Sequence, residues 1–254
     1  MNPTHIESAG GFQAGRLFVF DELSSTNEWS LNQGDTGTHG DTAWCQRQTA
    51  GRGRRGRHWH APGELGLTFS ARIAQESLTE HLPLGLFGLA GALAVRESLK
   101  HFGITSHAKW PNDVWVNERK ICGILAERRG LSNVLVLGVG LNVNTASKDW
   151  GKQAYQTPPT SMSMESGGEQ FIIRDVLNAV LTSLNTTFSL SGKSVISAWR
   201  KQDQWVNKSV KVCQAESSVT GCYLGIDDDG CARLRLADGS EQCIVAGDIS
   251  LRHE

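Results

Sequence analysis

The segment NVLVLGVGLNVN, residues 133–144, constrains this chain more than any other. In an extended strand successive side chains point to opposite faces. Val139, Leu141 and Val143 therefore share one face, and Gly140, Asn142 and Asn144 share the other. The first face needs apolar partners. The second, made of glycine and amides, suits either solvent or a polar ligand. The segment is not a dinucleotide fingerprint, because the third glycine of GxGxxG is missing and no helix follows.

Other extended segments can pair with it. LFVF (17–20), DTAWCQRQTA (41–50) and GLTFSARI (66–73) have strand character. VWV (114–116), the polar turn Asn117-Glu118-Arg119 and ICGILAE (121–127) read as a hairpin. Four helical stretches lie between and after them. Ser25 and Glu28 have capping-box spacing before a short helix that ends near Gly34. A longer helix begins near Pro83, with Leu84, Phe87, Ala94, Val95 and Leu99 in phase, and stops at Lys100-His101 before Gly103. A loop rich in Pro, Ser and Gly fills about 145–169 and matches no pattern we can interpret. Val176, Leu177, Val180, Leu181, Leu184 and Phe188 then mark a third helix, and a fourth runs around Val195 to Trp205. From about 207 the texture changes to short strands, with turns at Asp227–Gly230 and Ala237–Ser240. Strands and helices mix without a βαβ repeat, so the expected class is α+β. The expected divisions are a loose leader at 1–15, a main domain at 16–205 and a small β barrel or sandwich at 206–254.

Composition narrows the function classes. At 254 residues the chain suits one large domain with a small satellite, and its net charge of −1 makes any basic stretch a local feature. No apolar run approaches the ~20 residues of a membrane helix, and the N-terminus lacks the pattern of a signal peptide. The six cysteines form no CxxC pair, which suits reduced thiols in a cytoplasmic protein. The four between Cys213 and Cys243 are too widely spaced to indicate zinc, and Asp227–Gly230 has the composition of a turn rather than a calcium loop. His39, His58 and His60 permit a metal without requiring one. No metal site is expected.

GRGRRGRHWH (51–60) sits between two of the strands. Its glycines allow close backbone approach, and its guanidinium forks match phosphate or carboxylate oxygens two at a time. An anion clamp and a solvated loop both fit. No Walker motif is present. KWPNDVW (109–115) gathers a lysine, an indole, an amide and a carboxylate just before the hairpin. Lys120, beside an otherwise apolar strand, must snorkel to water or meet an anion. Glu127 is either a partner for one of these cations or a surface residue.

The order SSTNEW, RQTAGRGRRGRHW, LTFSARI, KWPNDVWVNERKICGILAE and VLGVGLNVN resembles the biotin protein ligases, and the tail closing on GDISLR is similar to their small SH3-like C-terminal domain. The resemblance implies a mixed-sheet catalytic domain of biotin/lipoate ligase type. It implies that biotin and ATP, with Mg²⁺ in the substrate complex, form biotinyl-5′-AMP and pyrophosphate. Biotin then passes to one lysine of a biotin carboxyl carrier domain, and AMP is released. It places Ser25, Thr26, Asn27 and Gln48 at the biotin head group, and Arg52, Gly53 and Arg54 over the carboxylate and phosphates. Lys120 falls at the carboxylate and α-phosphate. Trp59, Trp110, Asn112 and Asn142 fall near the adenylate. Asp113 is left to orient or deprotonate the carrier lysine, or simply to pair with a cation. Arg55 and Arg57 are left facing water.

About 15 residues before the first strand are too few for the winged helix that some relatives carry, so no DNA binding is expected. The family often pairs through its sheets, but nothing in this sequence fixes a homodimer. Two rivals remain. A lipoate ligase shares the catalytic fold, but the arginine pair leading into Ser-Gly-Gly-Gly is missing here. A nucleic-acid binder would use RGRRGRHWH and leave KWPND and GVGLNVN unexplained.

Overall fold

A computed structural model describes residues 1–60, 64–74, 82–130, 132–151, 155, 157–213, 217–245 and 248–251. Part of the 145–169 loop, at 152–154 and 156, lies outside the described residues, as do the two ends of GDISLR. In chain order the strands of the main sheet are β1 (His5–Glu7), β2 (Leu17–Leu23), β3 (Thr42–Gln48), β4 (Gly66–Ala74), β5 (His107–Lys109), β6 (Asp113–Val116), β7 (Arg119–Arg128) and β8 (Val134–Asn142). They lie side by side as β1-β2-β3-β4-β8-β7-β6-β5. Strands β2 and β3 run parallel, and the other neighbours are antiparallel.

The parallel pair needs a crossover, which α1 (Thr26–Asn32) supplies. Ser25 is extended, and its hydroxyl accepts the Glu28 N–H at 3.4 Å, so the capping spacing is used. At the far end the fully buried Arg72 of β4 donates to the carbonyls of Ser30 and Gly34. A cation there satisfies orphan carbonyls and complements the helix dipole.

The opposite face of the sheet carries α2 (Phe87–His101) and α4 (Ile173–Phe188). Helix α2 is buried on nearly every side, and its small residues let it lie between the sheet and α4. A Cβ on Gly91 would come within 3.1 Å of Ile124 on β7, so glycine sets that close approach. On α4 the stripe Val176, Leu177, Val180, Leu181, Leu184 and Phe188 is buried. Each such side chain contributes roughly 1.5–3 kcal/mol on leaving water. The remaining helices are α3 (Met162–Glu165) and α5 (Gly192–Gln202), and α5 packs on α2.

Two sequence expectations change. The first 15 residues are not loose, because β1 pairs with β2 and Phe12 is fully buried against His39 and Phe188. Strand β5 is an additional edge, too short for three residues of alternation to announce it. The hairpin forms as expected: Asn117 and Glu118, at φ 47° and 62°, are both left-handed, the geometry that suits a two-residue connection between twisted strands.

After α5 come β9 (Ser209–Cys213), β10 (Ser218–Ile226), β11 (Ala232–Arg235), β12 (Glu241–Ile244) and β13 (Asp248–Leu251). They form a second, antiparallel sheet in the order β12-β11-β10-β9-β13. Polar and aromatic contacts join it to the first. Trp110 donates from Nε1 to the Gly230 carbonyl at 3.0 Å, and Arg200 holds the Ile226 carbonyl and Asp228. Lys109 is buried between two indoles, with its ammonium 4.3 Å from the Trp115 ring and 5.5 Å from that of Trp205.

Burial lowers the Lys109 pKa from 10.5 to about 8, with Asp113 opposing and Lys120 and Arg57 assisting. Between those two values the unfolded chain holds a proton that the folded chain has lost, so this lysine makes stability rise with pH. Chemical denaturation of wild type and Lys109→Met across that window is expected to show a steeper rise for wild type. Parallel curves would remove Lys109 as the cause.

Candidate functional site

The face of the main sheet opposite α2 holds a cavity of about 510 Å³. Its floor is bare backbone. Gly123 of β7 lies directly across from Gly140 of β8, and Gly138 lies across from Leu125. Methyl groups could not be added there without displacement. A Cβ on Gly140 would sit 2.6 Å from the Trp59 Nε1, and one on Gly138 would collide with the Asn27 amide. The glycine-and-amide face of β8 thus faces a cavity rather than bulk solvent.

The polar end is built by α1. The Gln48 Oε1 accepts the Thr26 N–H at 2.7 Å and its hydroxyl at 3.1 Å, which turns the Gln48 Nε2 toward the loop at Gly51. The Ser70 hydroxyl lies 2.7 Å from the Thr26 Oγ1 and 2.6 Å from the Asn27 Oδ1. Asn27 donates from Nδ2 to Glu127 at 2.9 Å. Ser25, Thr26 and Asn27 are all buried, so these donors and acceptors are fixed before any ligand arrives.

The arginine loop closes the cavity as a narrow hairpin. Trp59 donates to the Gly51 carbonyl at 2.9 Å, Gly53 to that of Arg57 at 2.7 Å, and Arg57 to that of Arg54 at 3.2 Å. The tip turns through Arg55 and Gly56, at φ 56° and 71°. Arg52 pairs with Glu127 at 2.8 Å, so that carboxylate ties the loop to both α1 and β7. Arg54 donates to the Asn112 Oδ1 at 3.2 Å. Burial, with repulsion from Arg55 and Arg57, pulls the Arg54 guanidinium below its usual pKa, and Asp113 opposes this. An arginine remains charged at that cost, so an anion entering the cavity would relieve the repulsion.

Lys120 stands at the start of β7, and the hairpin aims it into the cavity. Its ammonium lies 2.7 Å from Asp113 and 5.9 Å from the Trp59 ring. Its own N–H and carbonyl pair with Pro158 and Thr160, which brings Thr157 and Pro159 to the cavity wall. Asn142 donates to the Thr160 carbonyl at 2.9 Å. Its Oδ1 and the Trp59 Nε1 are buried in the cavity wall and have no partner among the described residues. Arg52, Arg54, Arg57 and Lys120 line the cavity, and among the described lining residues Asp113 is the one carboxylate, while Glu127 pairs with Arg52 beside it. The arrangement offers cations for a polyanion together with paired hydrogen-bonding groups for a polar ring.

Of the thirteen residues singled out in the sequence, twelve line this cavity: Ser25, Thr26, Asn27, Gln48, Arg52, Gly53, Arg54, Trp59, Asn112, Asp113, Lys120 and Asn142. Trp110 does not. It is buried beneath the second sheet, where its indole binds Gly230, because the hairpin directs Asn112 and Asp113 to the opposite side. The other two arginines are exposed, as expected, and each also has a contact. Arg57 lines the cavity, and Arg55 donates to the Cys213 carbonyl on β9 at 2.6 Å. His58 and His60 join the lining, whereas His39 packs on Phe12 at another end of the sheet. Sequence reasoning missed Trp150 and Tyr155, which sit in the uninterpreted loop and touch edge to face. Gly123 and Gly138 were also missed, since their meaning depends on strand register.

The glycine floor has a measurable consequence. Gly140→Ala is expected to push the Trp59 indole off β8 and speed tryptic cleavage within Arg54–Arg57 by about tenfold, equivalent to about 1.4 kcal/mol of loop opening. An unchanged cleavage rate would mean that the indole does not anchor the loop.

Comparison with known proteins places the sequence and the fold. The sequence model of the Biotin/lipoate A/B protein ligase family matches residues 19–144, and that of the Biotin protein ligase C terminal domain matches 206–252. The biotin–[acetyl-CoA-carboxylase] ligase of Paracoccus denitrificans is 30% identical, over 82% of this chain and 90% of its own length. The bifunctional ligase/repressor BirA of Escherichia coli is 27% identical, over 96% of this chain and 76% of its own. The biotin protein ligase of Aquifex aeolicus, solved with biotin and ATP, superimposes with a TM-score of 0.77 at 28% identity, covering 94% of this chain and 99% of that one. The glycine-floored cavity and its arginine hairpin thus lie in a chain that matches these ligases over most of its length, and the chain belongs to the biotin protein ligase family.

Proposed function

We propose that the cavity joins biotin to ATP as biotinyl-5′-AMP and then passes biotin to a lysine of a carboxylase carrier domain. The observation that carries this reading is the composition of the cavity lining. Prearranged amide and hydroxyl groups share it with Arg52, Arg54 and Lys120. The biotin ureido ring needs paired donors and acceptors, which Ser25, Thr26, Asn27 and Gln48 supply. The biotin carboxylate must approach an anionic α-phosphate, and fixed cations offset the repulsion without reorganising at the moment of attack.

In the first step a biotin carboxylate oxygen bonds to the α-phosphorus of ATP, and pyrophosphate leaves. Lys120 contributes a compact charge where negative charge builds, and Arg52, Gly53 and Arg54 hold the carboxylate and phosphates. Mg²⁺ enters with ATP as part of the substrate. Trp59, Asn112 and Asn142 receive the nucleotide, and the unpartnered Trp59 Nε1 and Asn142 Oδ1 gain hydrogen bonds there. In the second step a carrier lysine attacks the acyl carbonyl, and AMP departs. Asp113, at 2.7 Å from Lys120, is placed to orient that amine or take its proton once Lys120 turns to the phosphate. Residues 16–205 act as the catalytic unit, with 206–254 as the smaller C-terminal domain.

Mass spectrometry after incubation with ATP, Mg²⁺ and either biotin or lipoate tests the assignment. Biotinyl-AMP is expected, and a lipoyl adenylate alone would contradict it. Lys120→Ala is expected to slow adenylate formation by about 10²–10³-fold, whereas Arg54→Ala is expected chiefly to speed escape of the finished adenylate. Wild-type synthesis by Lys120→Ala would remove that lysine from its role.

A further inference from the structure

The second sheet brings together three groups that the sequence keeps apart. Asp227 follows β10, Cys231 precedes β11, and Cys243 lies within β12 opposite Arg233. The Asp227 Oδ1 accepts the N–H groups of Asp229 at 3.0 Å and Cys231 at 2.8 Å, which locks the connecting turn. Its other oxygen, Oδ2, points across the sheet to the Cys243 thiol at 3.1 Å. One ligand atom from each of the three residues lies within 4.8 Å of the others. Cys231 and Cys243 share a face because they are diagonal neighbours on paired antiparallel strands, within side-chain reach.

We propose that Asp227, Cys231 and Cys243 form a binding site for a zinc-like divalent cation, with a fourth position open to solvent. Zinc takes thiolate sulfur at about 2.3 Å and carboxylate oxygen at about 2.0–2.2 Å in a tetrahedron, so the three ligand atoms need only small adjustments to enclose it. Two thiolates with one carboxylate favour such a cation over magnesium or calcium, which prefer oxygen. The wide spacing of the cysteines hides the site in the sequence, because strand pairing rather than a CxxC turn creates it. The partly exposed Cys243 gives the cation an entry path.

The position gives the site a structural consequence. The same turn presents the Gly230 carbonyl to Trp110, and its neighbours Ile226 and Asp228 are held by Arg200. A cation that fixes Asp227 also fixes the turn on which the two sheets meet. It would act on the KWPND segment from beneath, while Asn112 and Asp113 of that segment face the cavity.

The test uses the full chain, reduced and stripped of metal, titrated with Co²⁺ as a spectroscopic stand-in for zinc. One Co²⁺ per chain is expected, with a thiolate-to-cobalt charge-transfer band in the near ultraviolet. Cys231→Ser and Cys243→Ser are each expected to lower affinity by about a hundredfold or more, and Asp227→Asn by about tenfold or more. Cys213→Ser, on another strand, is expected to leave the band unchanged. Zn²⁺ is expected to raise the thermal midpoint of wild type and not of Cys243→Ser. Absence of the band, or an undiminished band in Cys231→Ser, would overturn the site. So would a chain that takes up no cobalt and instead oxidises to a Cys231–Cys243 disulfide.

Discussion

The structure of the cavity depends on the contact between the Trp59 indole and the bare backbone at Gly140. Two strands of a sheet normally present side chains to each face. Here Gly123, Gly138 and Gly140 leave a patch where an aromatic ring from the arginine loop and an amide from α1 can lie against the strands. The ring brings its loop with it, and the loop's cross-bonds set Arg52 and Arg54 over the opening. The same ring forms one wall for Lys120. A side chain at this floor would separate the cations from the polar end of α1.

Electrostatic balance is the second constraint. Four cations gathered around a cavity repel one another, and the fold moderates this with two carboxylates rather than by distance. Glu127 pairs with Arg52, and Asp113 pairs with Lys120. Both pairs are partly exposed, where ion pairs contribute little net stability, so an incoming carboxylate or phosphate can take the carboxylate's place at modest cost. Arg54 is more enclosed and is held by the amide of Asn112 as well. It is therefore the most enclosed positive centre of the loop, whereas Arg52 is exposed and paired with a carboxylate.

Much of this was legible in the sequence, for identifiable reasons. The alternating faces of residues 138–144 separated an apolar side from a glycine-and-amide side that suited either solvent or a polar ligand. The register of the sheet sets that second side on the cavity. The order of GRGRRG, KWPND and K-x-x-GIL placed most of the cavity wall. Trp110 was misplaced because a motif gives proximity along the chain, while the bend at Pro111 sends its indole and the following amide to opposite sides. The N-terminal residues looked loose because a three-residue edge strand and one buried phenylalanine leave no periodic signal. Gly123 and Gly138 carried no meaning until strand register set them beside Gly140 and Asn27. The grouping of Asp227, Cys231 and Cys243 was hidden for the same reason, since it arises from pairing between β11 and β12.

The proposed cavity holds a biotinyl adenylate with its phosphate between the arginine hairpin and Lys120. A crystal structure of the chain grown with biotin and ATP tests this most directly. Biotinyl-5′-AMP is expected in this cavity, with the ureido ring at Thr26 and Gln48 and the phosphate bridged by Arg54 and Lys120. An adenylate bound elsewhere, or a phosphate touched by neither cation, would contradict it.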